Sequence, residues 1–323
     1  MTERRERVAA IDCGTNSIRL LIGYREEEKW TDLVRTMTIV RLGEGVNETG
    51  ILNPDAVDRT VAQSQKYASI CENYGVERLR FVATSATRDA ANRDEFFSRI
   101  HRAVGVRPEV ISGTEEAELS FRGATSSLTQ IAWPALVVDI GGGSTEFVVG
   151  DATAEGVLID ASCSINMGSV RVTEMFPDLN ASGARRARAI ENASRWVDEK
   201  IDEVARTCDL DRVRTLIGVA GTVTTITAHV LGLDAYDSTR IHASRHTFEQ
   251  MIRSCTFMIE EPTAVKADLA YMPTGRADVI GGGAIVWLRI LRRLQTIQPE
   301  PSIVVSEHDI LDGVAHSLLT VGE

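Results

Sequence analysis

Leu136-Val137-Val138-Asp139-Ile140-Gly141-Gly142-Gly143-Ser144, continuing as Thr145-Glu146-Phe147-Val148-Val149-Gly150, has a counterpart near the N-terminus. There Ala9-Ala10-Ile11-Asp12-Cys13-Gly14-Thr15-Asn16-Ser17 runs into Ile18-Arg19-Leu20-Leu21-Ile22-Gly23. With Asp12 laid on Asp139, Ser17 meets Ser144 and Gly23 meets Gly150 without a gap. Each copy reads as an apolar strand ending in aspartate, a small-residue turn and a second strand. That is a β-hairpin whose turn exposes backbone N–H groups. Glycine and serine populate unrelated turns as well, but an aspartate at the same place in both copies favours internal duplication.

Each hairpin should open a domain. After the first, a helix is expected over 54–74 with Asn53 as N-cap and Pro54 at its first position. A strand over 79–84, a helix over 92–104 and a short strand over 109–111 follow. Ser112-Gly113-Thr114 then caps a helix beginning near Glu115. The stretch 124–134 is small and polar and ends in proline, which sets the expected domains at 1–128 and 129–323. The second half should hold a long helix over 183–208, a strand over 214–219 running into Ala220-Gly221-Thr222 and a helix, another long helix over 277–294, and a strand over 302–305. A closing helix at about 309–319 is expected to pack back on the first domain. Mixed strands and helices throughout make the class α/β.

At 323 residues the chain is long enough for two cores, and 43% of it is apolar. No apolar stretch approaches bilayer-spanning length, and the opening MTERRERVAA lacks a signal-peptide pattern. Cys13, Cys71, Cys163, Cys208 and Cys255 are scattered and odd in number, as reduced thiols of a cytoplasmic protein would be. With 35 basic and 46 acidic residues the net charge is −11, which argues against a nucleic-acid surface. A polyanionic ligand would therefore need local help from a cation, backbone N–H groups and a few arginines.

Two Asp-ended hairpins on the walls of an interdomain cleft provide such help. Successive N–H groups of a Gly/Ser turn bind phosphate oxygens, and a hard cation such as Mg²⁺ offsets the carboxylates. Asp12, Asp139 and Glu146 are the candidate metal-side ligands, although each alone would read as a turn cap. Gly221 and Thr222 sit where a strand meets a helix N-terminus, a natural anion site. Gly281-Gly282-Gly283 interrupts a helical run, which either a close approach or a kink would explain. Arg88, just after a strand, is open to two readings: a fork onto phosphate or a surface ion pair. Glu115 and Glu116 share the first turn of a helix but point about 100° apart, so one at most faces a ligand. A carboxylate facing bound phosphate, with no serine or cysteine placed as nucleophile, suits a general base that activates water.

The segments AIDCGTNSIRLLI, TSATRDAANRDEFF, ISGTEEAEL, VVDIGGGSTEFVVG, INMGSVRVTE, GVAGTVTTI and RADVIGGGAIVWLRIL resemble, in order, those of the exopolyphosphatase/guanosine pentaphosphate phosphohydrolase (Ppx/GppA) family. That resemblance implies two duplicated ribonuclease-H-like domains of the actin and sugar-kinase superfamily. It implies that Glu116 is the catalytic base and that Glu146 positions water or metal. Asp12 and Asp139 take the metal side and Arg88 binds phosphate, with Asn16, Ser17, Gly142, Gly143, Ser144 and Thr145 along the phosphate path. Longer members carry a further helical domain with metal-type histidines; His308 and His316 do not reproduce that pattern, so no second metal site is read, and processive grip on a long chain is in doubt.

The leading expectation is an exopolyphosphatase releasing terminal orthophosphate from inorganic polyphosphate with Mg²⁺ or another divalent cation. The alternative is hydrolysis of guanosine pentaphosphate by the same residues. An ATP-dependent kinase or actin-like assembly module is a different class on the same architecture, disfavoured by Glu116 and Glu146. A silent sensor is disfavoured by the intact carboxylates. No membrane partner is expected, and a homodimer is compatible with this reading. Arg185, Arg186, Arg188, Arg289, Arg292 and Arg293 could track a polyanion, but their helical spacing better suits a solvated face.

Overall fold

A computed structural model describes residues 5–27, 29–154, 156–297 and 302–319. The chain divides into two compact units, Met1–Leu119 with Ile310–Glu323, and Ser120–Asp309. The division falls inside the helix Gly113–Thr125, ahead of the polar stretch in which the sequence reading sets its boundary. Among the described residues no helix is long and apolar enough to cross a membrane.

The first unit is built on β1 (Val8–Cys13), β2 (Ser17–Glu26), β3 (Lys29–Ile39), β4 (Arg78–Ala83) and β5 (Glu109–Val110), in the sheet order β3-β2-β1-β4-β5. β1 is buried along its whole length, antiparallel to β2 and parallel to β4. Its unbroken apolar run is what burial on both faces demands. On one face lies the helix Pro54–Asn73, capped where Asn53 Oδ1 accepts the Asp55 N–H at 2.9 Å. On Ala10, Leu21 and Val82 packs the closing helix Ile310–Ser317 through Ile310, Leu311, Val314 and Ala315. Asp312 in that helix is fully buried and accepts from Arg35 of β3 at 2.5 and 3.1 Å.

The second unit repeats the plan with β6 (Ala135–Ile140), β7 (Thr145–Thr153), β8 (Gly156–Ile165), β9 (Thr215–Val219), β10 (Arg245–His246) and β11 (Ser302–Val305), ordered β10-β11-β9-β6-β7-β8. Each hairpin thus gains a third antiparallel strand that its pattern does not announce. β3 is mostly half-buried with no clean alternation, so its sequence carries little period-two signal. Both second strands shift register at the same place, Ile22/Gly23 and Val149/Gly150. A Cβ on Gly23 would lie 2.3 Å from the Trp30 ring, and one on Gly150 2.5 Å from that of Phe121. An aromatic ring seated over a bulge is what makes glycine necessary there.

The helix Gly183–Thr207 buries Ala189, Ala193, Val197, Ile201 and Val204, one stripe at helical spacing. Its outer arginines and those of the helix Ile280–Ile297 are engaged within the unit. Arg289 forks onto Asp198 at 2.6 and 2.5 Å, Arg293 pairs with Asp202, and Arg186 donates to the Glu261 carbonyl at 2.8 Å. The solvated-face reading of these arginines thus gains three named partners.

Candidate active site

The two turns share one hydrogen-bond design. Gly14 N–H donates to Ser17 O at 3.0 Å, and Gly141 N–H to Ser144 O at 3.1 Å. The chain that follows the third strand then binds the turn's carbonyls. In the first unit Thr15 O accepts from Gly43 at 2.8 Å and Asn16 O from Val40 and Arg41 at 3.0 and 2.9 Å. In the second, Gly141 O accepts from Ser169, Gly142 O from Val170 and Arg171, and Gly143 O from Gly168 and from Arg171 Nε. Across a planar trans peptide a carbonyl and the next N–H point in opposite directions. Tying down these carbonyls therefore turns the N–H groups of Asn16 and Ser17, and of Gly142, Gly143 and Ser144, to the other side. A run of such donors is an anion-binding nest.

Thr145 is buried, and its hydroxyl donates to Met167 O at 3.0 Å, bracing the loop beneath the turn.

The carboxylates stand beside the turns. Asp139 on β6 is directly opposite Glu146 on β7, and Glu146 is opposite Ser164 on β8, so the three side chains form one row on one face. Asp139 and Glu146 are both buried. Ser120 Oγ donates to Asp139 Oδ2 at 2.6 Å and Ser164 Oγ to Glu146 Oε1 at 2.7 Å. In the first unit the residue opposite Asp12 is Arg19, which donates from Nε and Nη2 to Asp12 Oδ2 at 2.9 and 2.6 Å. The spacing from aspartate to cross-strand partner is the same in both copies, so the repeat alignment itself carried the signal for Arg19.

Two buried carboxylates directly opposite each other repel, and hard oxygen donors of this kind suit Mg²⁺. The chemistry of the pair Asp139 and Glu146 thus fits a hard divalent cation. Among the described residues no group of three or more His, Cys, Asp or Glu side chains is arranged to hold a metal. Mg²⁺ tolerates this, since it commonly takes one or two carboxylates and completes its shell with substrate oxygens and water.

Glu116 lies in the helix Gly113–Thr125, whose first turn is capped by Ser112 Oγ accepting the Glu115 N–H at 3.1 Å. The neighbours diverge as helical geometry requires. Glu115 is half-buried and accepts from Arg80 at 2.7 Å, whereas Glu116 is buried and accepts from Arg88 Nη1 at 2.6 Å. Arg88 Nη1 also donates to Ile111 O at 3.0 Å. Burial pushes the Glu116 carboxyl up to about 7; the Arg88 guanidinium opposes the rise and the Asp12 carboxylate adds to it. Arg88 is therefore in an ion pair, but a half-buried one with the candidate base.

Gly221 and Thr222 open the helix Ala220–Val230, preceded by a left-handed Ala220 (φ 64°). A non-glycine residue held there at a strand–helix junction costs backbone energy, on the order of 1–3 kcal/mol. Arg276 braces the junction, donating to Gly221 O at 3.0 Å and Thr225 Oγ1 at 2.8 Å. Close approach accounts for two of the three glycines in the neighbouring helix, Gly282 and Gly283. A Cβ on Gly283 would sit 2.6 Å from Thr222 Oγ1, and one on Gly282 2.6 Å from Thr173 Oγ1.

A model of the Ppx/GppA phosphatase family matches residues 21–318. The chain belongs to that family. Exopolyphosphatase 2 of Mycobacterium tuberculosis is 44% identical over 322 residues, covering 97% of this chain and 98% of the relative. A crystal structure of an exopolyphosphatase-like protein is 41% identical with a TM-score of 0.91, covering 98% of this chain and 100% of that one. The Aquifex aeolicus PPX-GPPA enzyme is 29% identical with a TM-score of 0.78 over 97% of this chain. The expected α/β fold with two sheets and the expected class of phosphate-releasing hydrolase agree with this membership.

Proposed function

We propose that this protein is an exopolyphosphatase that removes terminal orthophosphate from inorganic polyphosphate, with Glu116 as the general base. The buried Glu116, raised toward neutrality and held by Arg88, carries the reading. A base is most effective when its pKa lies near the working pH. The similarity to Exopolyphosphatase 2 supports the substrate.

In the reaction, the N–H groups of Gly142, Gly143 and Ser144 would donate to phosphoryl oxygens, and those of Asn16 and Ser17 are the matching donors of the first unit. Arg88 is close enough to Glu116 to orient both the carboxylate and a phosphate. Water attacks the terminal phosphorus, Glu116 takes its proton, and the bond to the bridging oxygen breaks with its electron pair leaving on the shortened chain. Asp139 and Glu146 would hold a Mg²⁺, whose charge screens the polyanion from the carboxylates and stabilises negative charge that develops on phosphate oxygens. Asp12, paired with Arg19, is the corresponding carboxylate of the first unit.

Guanosine pentaphosphate is the alternative substrate, because the chemistry happens at the phosphate end and the family name covers both activities. Free thiols at all five cysteines are in keeping with a cytoplasmic setting. The deciding experiment measures orthophosphate release from polyphosphate of several lengths, guanosine pentaphosphate and ATP, side by side with Mg²⁺. Faster turnover of polyphosphate supports the proposal; release from guanosine pentaphosphate alone replaces it with the alternative.

A further inference from the structure

We infer that Ser120 and Ser164 are positioning residues that orient Asp139 and Glu146 for a divalent cation. The inference rests on the reading above that these two carboxylates hold the cation.

Buried serine and threonine in helices commonly return their hydroxyl to the carbonyl one turn back. Several here do so: Thr125 donates to Phe121 O at 2.8 Å and Thr225 to Gly221 O at 2.7 Å. Ser120, fully buried in the same helix as Thr125, instead reaches Asp139 Oδ2 at 2.6 Å. Ser164 reaches Glu146 Oε1 from the directly opposed position on β8 at 2.7 Å. Both distances belong to the short class of hydroxyl-to-carboxylate bonds. Each of the two opposed acids therefore receives a neutral donor, from a different element of the second unit.

The choice of donor matters because the fold shows the other option. At the equivalent place in the first hairpin, Arg19 meets Asp12 with a full positive charge. A guanidinium orients a carboxylate and cancels its attraction for a cation at the same time. A hydroxyl fixes the carboxylate plane by one hydrogen bond and leaves the negative charge in place. Groups that hold metal-ligating carboxylates in this way typically account for about 10- to 100-fold in metal affinity or activity.

The test is a Mn²⁺ titration of the full chain by electron paramagnetic resonance, which reads free ion and needs no turnover. Ser164→Ala and Ser120→Ala should each raise the half-saturating Mn²⁺ concentration by roughly 10-fold or more. Ser164→Thr, which keeps the hydroxyl at a strand position, should stay near the starting protein. Asp139→Asn and Glu146→Gln serve as references. If they abolish Mn²⁺ binding while both alanine variants bind as the starting protein does, the serine assignment is wrong. Should Mn²⁺ binding survive Asp139→Asn and Glu146→Gln, the cation is held elsewhere, and both the reading and this inference fall. Melting temperature in chelator separates lost folding from lost affinity; if Ser120→Ala fails to fold, the Ser164 pair decides alone.

Discussion

The two hairpins are alike in everything that makes them hairpins and different in the one position that makes chemistry. Both close with a glycine N–H on a serine carbonyl, both kink at a glycine under an aromatic ring, and both carry an aspartate as the penultimate residue of a fully buried strand. Opposite that aspartate stands Arg19 in one and Glu146 in the other. The first hairpin sets a cation across the ladder from its aspartate; the second sets another carboxylate there. On the function proposed above, that single cross-strand position decides which turn can also take a cation.

The largest effect should come from the first unit, whose proposed contribution is the base. Glu116→Gln keeps size and hydrogen bonding but cannot take a proton, so kcat should fall by about 10²- to 10⁴-fold. Glu115→Gln, which loses only its pair with Arg80, should leave the rate within about two-fold of the starting protein and cost at most about 1 kcal/mol at the helix N-terminus. Steady-state phosphate release checks both. Loss of activity in Glu115→Gln alone would reverse the roles of the two glutamates, and with them the division of labour between units.

A second pair of variants sets one hairpin against the other. Glu146→Gln, which removes a proposed ligand, should raise the Mg²⁺ concentration needed for half-maximal activity by more than the roughly 10- to 100-fold that loss of an outer-shell partner costs. Arg19→Gln should leave that Mg²⁺ requirement unchanged while lowering stability by about 1–3 kcal/mol, because Asp12 keeps its burial and loses its countercharge. Activation curves and urea unfolding, run on both proteins, separate the outcomes. Equal shifts in Mg²⁺ requirement would mean that the two hairpins have not diverged in the way their registers suggest.

What could be read in advance follows from how local each signal is. The gapless repeat exposed both hairpins, and helical geometry showed that at most one of Glu115 and Glu116 faces a ligand, because these depend on residues a few positions apart; the choice of Glu116 came from the family resemblance. The third strands β3 and β8 were invisible, since half-buried strands beside a hairpin need no clean alternation. The break between units hides inside the helix Gly113–Thr125, where local pattern says only that the helix continues. The partners of the acids are non-local: Ser120 reaches 19 residues along the chain to Asp139. Gly282 and Gly283 looked like either a kink or a contact, and only the packing of Thr173 and Thr222 against them decides for contact.

The smallest effect expected is thermodynamic, and it tests the burial of Glu116 independently of turnover. An ordinary glutamate ionises near 4.3 in the unfolded chain, whereas burial raises Glu116 to about 7 in the folded one. Below about pH 4 both states hold the proton and the residue adds no pH dependence. Between there and about 7 the unfolded chain has lost its proton and the folded one retains it, so stability falls as pH rises. Above about 7 both are ionised and the loss is complete. Glu116→Gln, permanently neutral, escapes this loss. In chelator it should therefore gain on the starting protein between pH 4.5 and pH 8, by on the order of 1–3 kcal/mol. Titrating groups that do not interact with Glu116 are common to both proteins and cancel in the difference, as does any fixed cost of replacing the carboxylate beside Arg88; Asp12, whose carboxylate raises Glu116, is coupled to it and belongs to the same measured change. Denaturant unfolding at the two pH values gives the number directly. A stability difference that does not change with pH would mean that Glu116 ionises in the folded chain as it does in water, and the first unit would lose its claim to hold the base.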